Sequence, residues 1–238
     1  MNTVRRTRPI CFDITCSSVF VATAPHAPYP VQFRQAVAAL DHLIKSGISP
    51  GDIVLSGDSA GAHIGLCLVS HILHPHPQVP QSISLIGSFA GFLLISPRVT
   101  NDTTAPSFTQ NSDKDILNRR TLALWISNFK ANSILAEPDG IQRDGFWVEP
   151  RKAPPEWWEG LPAVVPKAFI SAGGHECFRD DILSFVESWK QCKGVDVVSF
   201  LEEKGIHDSP LIDIGAGRPP SQLVLAIEQW LASIVSPI

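Results

Sequence analysis

Gly57-Asp58-Ser59-Ala60-Gly61 stands directly between an apolar run, Ile53-Val54-Leu55-Ser56, and a stretch with helical spacing from Ala62 to Leu73. A Gly-x-Ser-x-Gly pentapeptide joining a strand to a helix predicts a turn tight enough to need glycine on both sides of the serine. Such a turn requires a strand to end and a helix to begin within five residues, so it commits the chain to an α/β architecture. It also predicts that the Ser59 hydroxyl sits at the strand end, with the Ala60 backbone N–H aimed at whatever that hydroxyl attacks.

The rest of the chain repeats the alternation. Ser18 to Thr23 reads as a short strand, ended by the Pro25, Pro28 and Pro30 segment, because proline has no N–H to give a ladder. Phe33, Val37, Leu40 and Ile44 recur at helical spacing from Val31 up to Gly47, and Pro50 and Gly51 follow. Further strands are predicted over 92–96, 168–172 and 197–201, with helices over 115–131, 181–193 and 222–234. That order implies one mostly parallel sheet with helices on both faces. Residues 1–238 read as a single domain, with 1–17 a poorly ordered N-terminus and 100–166 a lid or insert. Trp147, Trp157 and Trp158 in that insert fit either a core or the wall of a substrate pocket.

A serine hydroxyl is a weak nucleophile at neutral pH. It needs a base within hydrogen-bond reach, and the base needs an acid to fix its tautomer. On an architecture of this kind those partners follow the serine in the order acid, then histidine, each in the loop after a late strand. The strand over 168–172 runs into Gly173-Gly174-His175-Glu176, and the strand over 197–201 into Glu202-Glu203-Lys204-Gly205-Ile206-His207-Asp208.

From about residue 18 to 235 the chain resembles the hormone-sensitive-lipase-like branch of the α/β-hydrolase fold, especially its fungal-looking members. The resemblance rests on Ala24-Pro25-His26-Ala27-Pro28-Tyr29-Pro30, on 53–61, on Ile95-Ser96-Pro97, on Trp157-Trp158-Glu159-Gly160-Leu161, on 171–176 with Phe178-Arg179-Asp180-Asp181, and on His207-Asp208. It implies Ser59 as nucleophile, Glu176 as the acid, His207 as the general base and Ala60 N–H as an oxyanion donor. It further implies hydrolysis of a small or medium acyl ester, including esters of secondary metabolites, or transfer of the acyl group to an alcohol, with no cofactor. The family more often has Asp at the acid position, and Asp180 and Asp181 lie close by; their other reading is the first turn of the next helix, where carboxylates suit the dipole. Asp208 also reads as a plain loop carboxylate, and Cys177, with no elbow of its own, as packing.

Family members also carry a His-Gly-Gly-Gly oxyanion loop upstream, and this sequence has none, its first glycine being Gly47. The expectation is therefore a sheet without its first strands and a shortened form of an active esterase, with a catalytically impaired or purely ligand-binding relative as the alternative. A sheet so shortened leaves an unpaired edge, which predicts poor solubility or a homo-oligomer.

Bulk properties narrow the partners. The formal net charge is −4 and basic residues never run beyond two, so nucleic acid is not an expected partner. Five cysteines without a Cys-x-x-Cys pair predict neither a disulfide framework nor a zinc site, and suit a reducing, cytoplasmic setting. No membrane span is expected, the 83–95 stretch being too short and interrupted. His71, His74 and His76 are interrupted by Pro75 and Pro77, which favours a helix-end role over metal binding.

Overall fold

The computed structural model describes residues 15–79, 83–131 and 145–235. Residues 1–14 of the expected N-terminal segment and 132–144 of the expected insert lie outside the described residues. The strands are β1 (Val54–Asp58), β2 (Gly91–Ile95), β3 (Lys167–Gly173) and β4 (Asp196–Glu202). The described helices, numbered in chain order, are α1 (Val31–Lys45), α2 (Ser59–Leu73), α3 (Ser107–Gln110), α4 (Arg119–Lys130), α5 (Gly145–Val148), α6 (Leu161–Val164), α7 (Arg179–Lys190), α8 (Ser209–Gly215) and α9 (Gln222–Ile234).

All strand pairs are parallel and the spatial order is β1-β2-β3-β4, so each crossover steps one strand in the same direction. Parallel strands covered on both faces carry apolar residues at successive positions, and Phe92-Leu93-Leu94-Ile95 of β2 is buried throughout. Alternation along the strands divides the core. Phe92, Leu94, Ala168 and Ile170 pack with Leu66 and Val69 of α2, Phe33 and Val37 of α1, and Phe185 and Trp189 of α7. Leu93, Ile95 and Phe169 face the other way, onto Leu223, Ile227 and Trp230 of α9. The sheet thus has helices on both faces, as the alternation predicts.

Several elements differ from expectation. Ser18 to Thr23 is not a strand: it is largely exposed, with Phe20 94% accessible, and its backbone ties are Ala22 N–H to the Gln35 side chain at 2.8 Å and the Thr23 carbonyl accepting from Ala27 N–H at 3.1 Å. An apolar run forms a strand only beside a neighbour's free edge, and local composition does not reveal whether one is there. Helix α2 starts at Ser59, three residues earlier than expected, because β1 continues through Gly57 and Asp58, paired to Leu94 and Ile95. Helix α4 begins at Arg119, where the Asn118 side chain accepts from Thr121 N–H at 3.0 Å, and α7 begins at Arg179.

The described part of the insert from 145 to 166 is a series of short helical turns whose apolar groups enter the main core. Trp158 packs edge-on against Trp189 at 5.3 Å, while Trp157 stacks on His74 at 4.0 Å and Trp147 donates to the His74 carbonyl at 3.2 Å. His74 follows the C-terminal end of α2, and at about 1.5 Å per residue that 15-residue helix puts these contacts roughly 22 Å from Ser59. Trp158 is therefore core, and Trp147 and Trp157 are partly buried against it, away from Ser59. His71 and His76 are also used in packing and hydrogen bonding, the His76 N–H donating to His71 Nδ1 at 2.9 Å.

Candidate active site

Ser59 has φ of +47°, a left-handed conformation that a residue with a Cβ adopts at a strain on the order of 1–3 kcal/mol. Gly57 makes the bend feasible. A Cβ there would lie 2.5 Å from both the Ala62 nitrogen and the Gly61 carbonyl carbon, whereas a Cβ at Gly61 would meet only an Asp58 carboxylate oxygen at 3.9 Å. The expected need for two glycines is thus corrected: the close approach is confined to Gly57.

The loops after β3 and β4 are joined backbone to backbone. Gly174 N–H donates to the Glu202 carbonyl and His175 N–H to the Gly205 carbonyl, each at 2.8 Å. A Cβ on Gly173 would collide with the Gly205 carbonyl and one on Gly174 with that of Glu203, so the paired glycines permit this closeness.

Ser59 at the start of α2 and Glu176 and His207 from the loops after β3 and β4 are brought together. His207 Nε2 lies 2.8 Å from Ser59 Oγ, and His207 Nδ1 lies 2.7 Å from Glu176 Oε1. A proton on Nδ1, facing the carboxylate, leaves Nε2 as the acceptor for the serine hydroxyl; that tautomer is assigned from the partners. Glu176 is fully buried, and its Oε2 accepts from Gly173 N–H at 2.9 Å and from the Ser96 hydroxyl at 3.1 Å.

Asp180 and Asp181 lie elsewhere. Asp180 accepts from Ser107 N–H and from Arg179, and Asp181 pairs with Arg151 at 3.0 Å, so both tie the first turn of α7 to the insert. Asp208 is no mere loop carboxylate. It has φ of +55°, its N–H donates to the Ser96 hydroxyl at 3.1 Å, and its Oδ2 lies 3.2 Å from His207 Nε2. Cys177 is buried, and burial first, then Asp115, pushes its thiol up to about 12, so it is no thiolate nucleophile.

Three supporting residues escaped the sequence reading. Ser96 stands inside a quoted motif without a role. Asp115 carries no local signal at all; its Oδ1 accepts from His207 N–H at 2.9 Å and its Oδ2 from Cys177 N–H at 2.7 Å. Arg98 backs the elbow, its N–H donating to the Ser59 carbonyl at 3.1 Å while its guanidinium bonds His63 Nδ1 and Asn101 and lies over the Phe129 ring. Burial first, then the Arg98 charge, holds His63 well below the ordinary imidazole range, so this partner is neutral.

Ser59 opens onto a shallow cleft of about 340 Å³. Its lining combines the apolar Ile116, Leu117 and Trp125 of the insert with Asp58, Asp208 and His207. The Ala60 N–H belongs to the first turn of α2, where no intrahelical acceptor exists and the dipole favours negative charge. Among the described residues no group of three or more metal-ligating side chains is assembled, and no helix is long and apolar enough to cross a membrane.

The site titrates in a way that shapes stability. Burial raises Asp208 to about 7, Asp58, Glu176 and Asp115 adding to this and His207 opposing it. Burial alone would lower His207, but the hydrogen bond and charge of Glu176, followed by the charges of Asp208 and Asp115, leave it above its ordinary value. Both groups hold their protons more tightly folded than unfolded, where Asp titrates near ~3.9 and His near ~6.5. These two groups therefore favour the folded state at low pH, their contribution being lost as pH rises through 4 to 7 for Asp208 and from 6.5 upward for His207, whereas the buried neutral His63 opposes them, its contribution being lost as pH falls below 6.5. Because His63 is common to both proteins, the test is the difference between them: the gap in Tm between pH 5 and pH 8 should shift in Asp208→Asn toward a relatively higher Tm at pH 8, and an identical pH dependence in wild type and Asp208→Asn contradicts the assignment.

Residues 9–211 match a family model described as alpha/beta hydrolase fold. An esterase of Acinetobacter venetianus is 30% identical over 169 residues, 71% of this chain and 48% of that protein. Carboxylesterase NlhH of Mycobacterium tuberculosis is 27% identical over 176 residues, 71% of this chain and 49% of that one. The chain thus spans about half the length of the curated relatives it matches. Among solved structures, an esterase from the bacterial hormone-sensitive lipase family superposes with a TM-score of 0.68 at 22% identity, covering 90% of this chain and 63% of the other. A thermostable esterase from Pseudomonas putida gives a TM-score of 0.68 at 18% identity, covering 92% and 63%. With the parallel sheet, the bend at Ser59 and a match over most of its residues, the chain belongs to the α/β-hydrolase fold family.

Proposed function

We propose that this chain is a serine hydrolase of the hormone-sensitive-lipase-like type that cleaves carboxylic esters. Ser59 Oγ attacks the ester carbonyl while His207 Nε2 takes its proton. The imidazolium, steadied by Glu176, returns that proton to the leaving alcohol. Ala60 N–H holds the oxyanion, and water then releases the acyl group by the same route; an alcohol in place of water turns hydrolysis into acyl transfer. The observation that carries this reading is the continuous hydrogen-bonded chain from Ser59 through His207 to Glu176, at 2.8 and 2.7 Å. Esterase and carboxylesterase relatives add support.

The apolar lining of Ile116, Leu117 and Trp125 supports short or medium acyl groups, since Ile116 and Trp125 remain 54% and 53% exposed and form no deep tunnel. A second reading is a ligand-binding relative without turnover, Ala60 N–H being the one oxyanion donor identified among the described residues. Removing one such donor lowers turnover by about 10² to 10³.

Two measurements test the proposal. A fluorophosphonate probe should label the protein, and no labelling would favour the binding-only reading. Across p-nitrophenyl esters, acetate and butyrate should be hydrolysed faster than palmitate, and a preference for palmitate would overturn the assignment of acyl size.

A further inference from the structure

Asp115 belongs to neither of the loops that supply Glu176 and His207, yet its carboxylate binds the backbone of both. One oxygen takes the N–H of His207 itself at 2.9 Å, and the other takes the N–H of Cys177, the residue directly after Glu176, at 2.7 Å. Charge-assisted bonds from a carboxylate to backbone N–H groups are short and directional, so this pair fixes the main chain on either side of the His207–Glu176 contact. The next residues add to the clamp: the Leu117 carbonyl accepts from Cys177 Sγ at 3.2 Å, and Ile116 and Leu117 line the cleft.

We propose that Asp115 is a positioning residue, holding the imidazole of His207 at bonding distance from Ser59 by clamping the two loops with one side chain. Its catalytic consequence rests on the serine-hydrolase reading above, whereas the clamp itself does not. Three carboxylates bear on this ring, Glu176 from the acid loop, Asp208 from its own loop and Asp115 from the insert, while Asp58 at the end of β1 bears on Asp208. Removing the Asp115 charge should make the imidazole easier to deprotonate, in addition to loosening its backbone.

The test compares Asp115→Asn with Asn118→Ala, which removes the α4 cap three residues away and leaves the clamp intact. The His207 ring is followed by nitrogen-resolved NMR, assigned by its loss in His207→Gln, and p-nitrophenyl acetate kinetics are run in parallel. Asp115→Asn should lower the His207 titration midpoint and reduce kcat by about 10- to 100-fold with little change in KM, the range expected of a misplaced base. Asn118→Ala should lower Tm and leave the titration where it was. An unchanged His207 titration in Asp115→Asn, or kinetics in the two variants that merely follow Tm, overturns the proposal.

If wild type turns over no ester, the functional reading fails, while the NMR titration still decides the clamp. Should Asp115→Asn not fold, Asp115→Glu keeps the charge but adds a methylene; it should retain the titration and lose kcat, and full kcat would overturn the clamp.

Discussion

Ser59→Ala should abolish fluorophosphonate labelling and lower p-nitrophenyl acetate hydrolysis to the level of background. With the hydroxyl gone, His207 and Glu176 retain their 2.7 Å contact but have no nucleophile to serve. In serine hydrolases, loss of the nucleophile alone removes on the order of 10⁴ to 10⁶ in kcat, about as much as removing all its partners together. His207→Ala and the double variant Ser59→Ala/His207→Ala should therefore be nearly as inactive as the single serine variant. The fold should tolerate the change, because alanine removes one oxygen from a half-exposed position and Arg98 N–H still finds the residue 59 carbonyl. Unaltered hydrolysis in Ser59→Ala would remove the serine mechanism, and labelling that persists would move the reactive group to another side chain.

The second large effect is structural. Gly57→Ala places a methyl group 2.5 Å from two backbone atoms of the helix start, where no flexible side chain can move aside. Overpacking of a rigid site costs about 1–3 kcal/mol and more where backbone must shift. The shift needed here displaces the first turn of α2, carrying Ser59 and Ala60 with it. Gly57→Ala should lower Tm by several degrees and cut turnover at least as severely as it cuts stability. Gly61→Ala, with its nearest contact at an ordinary 3.9 Å, should leave Tm nearly unchanged. Equal damage from both substitutions would show that the bend depends on backbone freedom at each glycine instead of on one collision.

What could be read from the chain beforehand follows the range of the interactions involved. Helix α9 was predicted residue for residue, because its apolar period and the Ser221 cap that accepts from Val224 N–H are local properties. The elbow was legible for the same reason: five adjacent residues hold the strand end, the bend and the helix start. Glu176 and His207 could be proposed because each follows a recognisable strand, so a rule about chain order stood in for distance. Asp115 offered no such rule; its partners are backbone N–H groups in two loops far along the chain, and every residue type except proline supplies an N–H. Trp147, Trp157 and Trp158 were ambiguous because an aromatic side chain fills a core and lines a pocket with equal ease. Their distance from Ser59 follows only from the packing of the insert against the far end of α2. Ser18 to Thr23 failed in the opposite sense, its composition suiting a strand that finds no ladder among the described residues.

The backbone bonds that lace the segment after β3 to the segment after β4 have a mechanical consequence. His207 and Glu176 are carried by what amounts to a single rigid jaw, whereas Ser59 rides on the opposing one at the tip of α2. A displacement of Ser59 relative to the jaw carrying His207 would lengthen the contact between imidazole and hydroxyl and leave the 2.7 Å bond behind it intact.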